Sequence, residues 1–207
     1  LIPDYKSSGK YISDLSADEL PGLTEGQINL FKGLVKGDGS TGLFSNQNML
    51  FEHQLKMLKE SLNGKNCVIT SGTGSGKTES FLLPLFAQLA KEMDTWALPN
   101  VKGNHTDDWW KSDISMTNAE KVDTGNGFTL SSNTQQRIYE NRPPAMRALI
   151  IYPMNALVED QMTRLRIALD SNPVRDWLKS NMNGNKIYFG RYNGSTPVSG
   201  SLKKMDD

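Results

Sequence analysis

The chain has 207 residues, 37% of them hydrophobic and 22% charged, with 23 Lys plus Arg against 23 Asp plus Glu. That length supports one domain with a full core, the composition excludes a disordered tail, and no apolar run approaches the ~20 residues of a membrane-spanning helix. Zero formal net charge excludes a global positive field that would draw the protein to nucleic acid, so any contact with a strand has to be local.

The opening Leu1-Ile2-Pro3-Asp4 has neither an initiator Met nor a basic-then-apolar leader, which predicts a start inside a longer polypeptide. The lone Cys67 rules out an internal disulfide and a zinc cluster, and it reads as a buried thiol in a reducing cytoplasm. Residues 1–46 predict a helical N-terminal extension of two short helices, each opened by a capping-box pattern: Ser16 with Glu19, then Thr24 with Gln27. The second carries Ile28, Phe31, Leu34 and Val35 on one face and meets the breaker run Gly37-Asp38-Gly39-Ser40.

From residue 47 the pattern predicts a second unit running to 207. Leu50, Phe51, Leu55, Leu58 and Leu62 recur at helical spacing from Asn48 to Leu62, and Gly64 provides a stop. Cys67 to Thr70 then reads as a buried strand, Ser71 to Gly76 as a glycine-rich turn, and Lys77 to about Met93 as a helix. Pro84 inside that helix removes a backbone bond, ordinarily at ~3 kcal/mol, and predicts a kink beyond the first turn.

Residues 94–146 are 53 positions rich in Asn, Thr, Ser and Gly, with Trp109-Trp110 and no sustained period. A connection of roughly 2 to 6 residues is ordinary in such a unit, so this is an insertion. Its seven acids against five bases (5 − 7 = −2) argue against a DNA-gripping arm, and it reads as a surface excursion. Arg147 to Tyr152 is a near-continuous apolar run suited to a central parallel strand, followed by a helix from about Asn155 to Asp170. A short helix from Pro173 through Lys179 and a third strand at Lys186 to Gly190 complete the order. Strand–helix–strand alternation predicts an α/β fold, a parallel sheet flanked by helices.

The chemistry is concentrated in Ser71-Gly72-Thr73-Gly74-Ser75-Gly76-Lys77-Thr78, between predicted strand and helix. Glycines let backbone N–H groups turn inward around phosphate oxygens, and the helix that follows adds its positive dipole end. Lys77 is positioned to reach the β- and γ-phosphates of a nucleotide, and the Thr78 hydroxyl to ligate Mg²⁺. Ser71 stands where the strict phosphate-loop pattern has Gly. Glu79 reads as a partner of the helix dipole, with no catalytic role assigned.

The loop with its Ser71 start resembles motif I of superfamily 2 helicases, of the DEAD/DEAH-box-like kind. Gln54 precedes Lys77 by 77 − 54 = 23 residues, the spacing at which that family carries an adenine-reading glutamine. An amide can donate to and accept from adenine, so the resemblance implies ATP as nucleotide, with Phe51 placed to pack on the base or in the core. Tyr152-Pro153-Met154-Asn155-Ala156-Leu157-Val158-Glu159-Asp160-Gln161 resembles motif Ia. There Pro153, Met154 and Asn155 are expected at the backbone of a bound strand, with Asn155 also suited to N-capping. Arg164 is explained by an i, i+4 pair with Asp160. Gly190 to Pro197 follows a strand as the next family segment does, so Gly194, Ser195 and Thr196 offer further phosphate donors or form a polar turn without ligand.

The resemblance implies a RecA-like P-loop NTPase domain, the first of two, using ATP and Mg²⁺ on nucleic acid, DNA ahead of RNA. The wording of residues 70–81 and 147–166 is most similar to large bacterial helicases of antiphage defence systems, among them the helicase subunit of DISARM, which implies partner subunits. The acidic box and second RecA-like domain of the family lie outside these 207 residues, so this stretch alone is expected to bind ATP weakly and hydrolyse it poorly. Two other readings fit the phosphate loop: a nucleotide-gated scaffold that does not unwind, and another P-loop ATPase.

Overall fold

The computed structural model describes residues 5–36, 42–44, 48–96, 145–182, 185–194 and 196. Five α-helices are described: α1 Glu25–Lys36, α2 Glu52–Leu62, α3 Lys77–Met93, α4 Asn155–Asp170 and α5 Asn172–Asn181, with a 3-10 turn at Ile12–Asp14 before them. The breaker run Gly37 to Ser40, Trp109-Trp110 and most of the expected insertion lie outside the described residues.

The start of α1 follows its sequence cue. Thr24 N–H donates to Gln27 Oε1 at 3.0 Å and Gln27 N–H to Thr24 Oγ1 at 3.2 Å, a reciprocal cap that satisfies two donors at the helix end. The same cue fails at Ser16. Glu19 does reach back to Ser16 N–H at 3.0 Å, but residues 17–22 form turns, because Pro21 and Gly22, the latter at φ +79°, stop a helix within about a turn of its start. The helix expected from Asn48 begins at Glu52. Residues just before it are committed elsewhere: Ser8 N–H donates to Leu50 O at 2.8 Å, Leu50 N–H to Lys10 O at 2.9 Å, and Glu52 N–H to Lys6 O at 2.9 Å. This antiparallel pairing of the N-terminal segment with residues 50–52 fixes the point at which α2 begins.

At the centre lies α3, buried along most of its circumference as a helix apolar on several faces requires. Leu83, Phe86, Ala87 and Ala90 have no exposed surface. They share one core with Leu15, Leu20, Phe31, Leu34, Leu50 and Leu58 of the preceding elements, where each fully buried Leu or Phe contributes about 1.5–3 kcal/mol. α5 is held against α1 by close contact, since the Trp177 indole occupies the space a Cβ on Gly33 would need.

Among the described residues no paired strand occurs at 67–70, 147–152 or 186–190. Alternate residues there differ: Leu149 and Ile151 are 69% and 81% exposed, whereas Ile150 and Tyr152 are half-buried against the helices. Cys67, expected buried, is half-buried, and Val68 beside it is 91% exposed. Arg147 Nε meets Glu92 Oε1 at 2.7 Å, joining the chain on either side of residues 97–144. Among the described residues, no helix is long and apolar enough to cross a membrane.

Candidate functional site

Two elements build the phosphate loop: α3 rises directly from it, and the first turn of α2 braces it from the side. Gly74 and Gly76 have φ of +78° and +70°, the left-handed conformation that glycine adopts without a side-chain penalty. Gly76 has a second reason to be glycine, because a Cβ there collides with the Gln54 amide and lies 3.2 Å from Glu79 Oε2. Its carbonyl is a convergence point, accepting from Ser80 N–H at 3.1 Å, Ser80 Oγ at 2.9 Å and Gln54 Nε2 at 3.2 Å.

Gln54 is 2% exposed, and its Oε1 accepts from Phe51 N–H at 2.9 Å. The side chain thereby caps α2 and holds the loop together. His53 braces the neighbouring residue of the loop. Its Nε2 lies 2.8 Å from the Ser75 carbonyl, which can only accept, so that nitrogen carries the proton. The imidazole stacks on Phe51 with centroids 5.5 Å apart and planes at 15°, and Tyr5 packs on both rings with centroids at 5.7 Å. Neither His53 nor Tyr5 stands out in the sequence. The only signal for His53 is its place beside Gln54 on the same first turn.

Within the loop, Ser71 Oγ and Ser75 Oγ are hydrogen-bonded at 2.6 Å. Gly72, Thr73 and Gly74 are exposed at its outer rim and Ser75 is buried beneath. Lys77 folds back over the loop, its Nζ donating to the carbonyls of Ser71 and Gly72 at 2.8 Å each. Thr78 is half-buried at the first turn of α3. The backbone N–H groups of Lys77, Thr78 and Glu79 have no acceptor among the described residues, as at any open helix start. Free N–H groups, an exposed ammonium and a helix dipole make a fitting receptor for a polyphosphate, and the Thr78 hydroxyl a fitting ligand for its Mg²⁺.

The second cluster lies on α4. Pro153, Met154 and Asn155 are all exposed. Met154, not Asn155, occupies the N-cap position, and no side chain caps the helix, so Asn155 is the first helical residue. Gly194 is exposed in the turn that follows Arg191, and Asn155 and Gly194 line the same cleft of about 750 Å³ between α3, α4 and residues 145–152 and 187–194. Arg191 pairs with Glu159 and ties that turn to α4. The Thr196 hydroxyl is engaged locally, accepting from Asn193 N–H at 2.8 Å and donating to Asn193 Oδ1 at 3.2 Å, while Ser195 lies outside the described residues.

The two clusters touch. Glu79 Oε1 receives Arg164 Nη1 at 2.6 Å, and Phe81 packs on Tyr152 with centroids 6.4 Å apart. The Tyr152 hydroxyl is buried without a hydrogen-bond partner among the described residues, and burial raises its pKa above the ordinary phenol value. The i, i+4 pair expected between Arg164 and Asp160 is present at 3.6 Å, looser than the bond to Glu79.

Residues 51–186 match the DEAD/DEAH box helicase family, a span that takes in Gln54, the phosphate loop and Tyr152 to Gln161 and stops short of Gly194. The chain is 30% identical over 159 residues to the Druantia protein DruE of Escherichia coli strain UMEA 4076-1. That alignment takes in 76% of this chain and 6% of the relative's length. No solved structure matches it. The phosphate loop braced by Gln54 and the matched span together show that the chain belongs to the DEAD/DEAH box helicase family.

Proposed function

We propose that this chain is the ATP-binding half of an ATP-dependent nucleic-acid helicase or translocase of bacterial antiphage defence, working in the cytoplasm with further subunits of a defence complex. One observation carries the reading: a phosphate loop whose lysine is held by loop carbonyls and whose last carbonyl is gripped by the glutamine 23 residues upstream (77 − 54 = 23). The similarity to a Druantia protein supports the defence setting.

In this reading residues 1–46 are an accessory helical layer and 47–207 belong to a RecA-like domain. Residues 67–70, 147–152 and 186–190 take places in its parallel sheet. The Arg147–Glu92 pair, which brings the chain back to where it left, supports treating 94–146 as an insertion. Ser71 to Gly76 cradle the phosphates, Lys77 balances the charge of the β- and γ-phosphates, and Thr78 holds Mg²⁺. Gln54 supports ATP preference by turning part of its amide from Gly76 to adenine. Pro153 to Asn155 and Gly194 to Thr196 lie along the backbone of the bound strand, DNA ahead of RNA.

The test is phosphate release by the full-length protein, with and without single-stranded DNA or RNA. Wild type is expected to hydrolyse ATP faster with a strand present, and Lys77→Ala to lose roughly a hundredfold or more of that rate. Absence of hydrolysis in wild type under every condition counts against the motor. Strand binding that responds to ATP without hydrolysis leaves the nucleotide-gated scaffold.

A further inference from the structure

We propose that Glu79 and Arg164 are positioning residues that couple nucleotide at the phosphate loop to the strand-contact turn at Pro153 to Asn155. The inference deepens the helicase reading above and rests on it.

The two side chains come from the two clusters and from positions 85 apart in sequence, with Arg164 Nη1 2.6 Å from Glu79 Oε1. Glu79 sits on the first turn of α3, two residues past Lys77, and its other oxygen lies close to Gly76. Its carboxylate is 19% exposed and the Arg164 side chain 44%, so the pair lies at the edge of solvent and its worth rests on the short contact it makes between the two helices. A second contact runs beside it: Phe81, on the same turn of α3, packs on Tyr152, the residue immediately before Pro153. The start of α3 is thus tied twice to the segment that bears the turn.

Coupling needs an element whose balance can shift, and Arg164 bridges two carboxylates at once through different nitrogens. One is Glu79, across the gap at 2.6 Å; the other is Asp160, on its own helix at 3.6 Å. A nucleotide adds negative charge within a few residues of Glu79. That charge strengthens the pull on the Arg164 guanidinium toward α3 and away from Asp160. α4 is then drawn against the phosphate loop with its N-terminal turn fixed. By reciprocity, a strand that holds α4 in that seat tightens the nucleotide by the same factor.

The experiment measures the dissociation constant of a fluorescein-labelled single-stranded deoxythymidine oligonucleotide for the full-length protein, with and without adenylyl imidodiphosphate and Mg²⁺. In wild type the analogue is expected to tighten the oligonucleotide by about tenfold, within the usual range of coupled sites. Glu79→Gln and Arg164→Gln are each expected to bring that ratio to between one and two, with the affinity for the analogue alone within about threefold of wild type. The double variant is expected to be no worse than either single one, since the three lack the same interaction. A wild-type ratio near tenfold that survives in Glu79→Gln overturns the coupling role and leaves the helicase reading intact. Losses that multiply in the double variant overturn the pairing. A wild type that binds no oligonucleotide, or binds it without regard to the analogue, overturns the coupling, whereas the helicase reading is overturned only by absence of ATP hydrolysis with either DNA or RNA.

Discussion

Gln54 holds Gly76. Its Nε2 donates to that carbonyl at 3.2 Å while its Oε1 accepts from Phe51 N–H at 2.9 Å, so one buried amide caps α2 and fastens the end of the phosphate loop. Gln54→Ala removes both bonds and leaves Phe51 N–H without its acceptor, while the Gly76 carbonyl keeps Ser80 N–H and Oγ. The expected cost is about 1–3 kcal/mol of folding stability, read by urea denaturation. ATP binding should weaken with it, and the preference for ATP over GTP should fall.

Gly76→Ala acts on the same contact from the other side. The backbone at φ +70° disfavours a side chain by about 1–2 kcal/mol, and the added methyl displaces the Gln54 amide. Calorimetric titration with ATP should show a loss of at least roughly tenfold in affinity, from the strain alone if it falls on the binding conformation. Gly74→Ala, which has the same sign of φ but no neighbour within reach, should leave α2 undisturbed.

Glu19 controls stability in acid. The Lys10 ammonium, then the Ser16 hydroxyl, hold its carboxyl down from 4.5 to about 2. A group whose folded pKa lies below its unfolded one contributes its full stabilisation above the unfolded value. That contribution declines as pH falls from 4.5 and is gone below about 2. Denaturant midpoints across that window should therefore slope less steeply for Glu19→Gln than for wild type. At neutral pH the same variant should cost roughly 1–3 kcal/mol, because Lys10 and Lys59 lose their shared buried partner.

Gly33 sets how closely α5 can approach α1. Trp177 fills the space beside it, so Gly33→Val forces the indole out and should destabilise the protein by about 1–3 kcal/mol. A change in tryptophan emission should accompany the lower midpoint, whereas Gly26→Ala, which meets only Thr24 Oγ1 at 3.9 Å, should leave both nearly unchanged.

Local rules read well where one element decides its own ends. The capping box at Thr24, the phosphate loop before Lys77 and the motif at Asn155 place the starts of α1, α3 and α4 where the structure has them. They misread the neighbourhood of Ser16, where Pro21 and Gly22 outweigh the cap, and of Asn48, where residues 6–10, distant in sequence, claim the backbone of residues 50–52. Glu79 shows the same limit. The first-turn position explains a helix-dipole partner and gives no sign of Arg164, since an ion pair across 85 residues leaves no period in the sequence. The three apolar runs give the composition of strands, but a parallel ladder forms between segments, and the order of runs does not state which residues pair.

Lys77 gives the phosphate loop an internal occupant. With its ammonium bonded to the carbonyls of Ser71 and Gly72, nucleotide binding in the proposed reading is an exchange: two charge-assisted hydrogen bonds have to break before the lysine can serve a phosphate. A ligand that offers Lys77 an anion replaces those bonds with stronger ones, at a gain below the roughly 1.5–3 kcal/mol of a shielded charged hydrogen bond because the lysine is exposed. A ligand too short to reach Lys77 leaves those two bonds in place and gains nothing from the lysine, so in the proposed reading ATP is expected to bind more tightly than AMP.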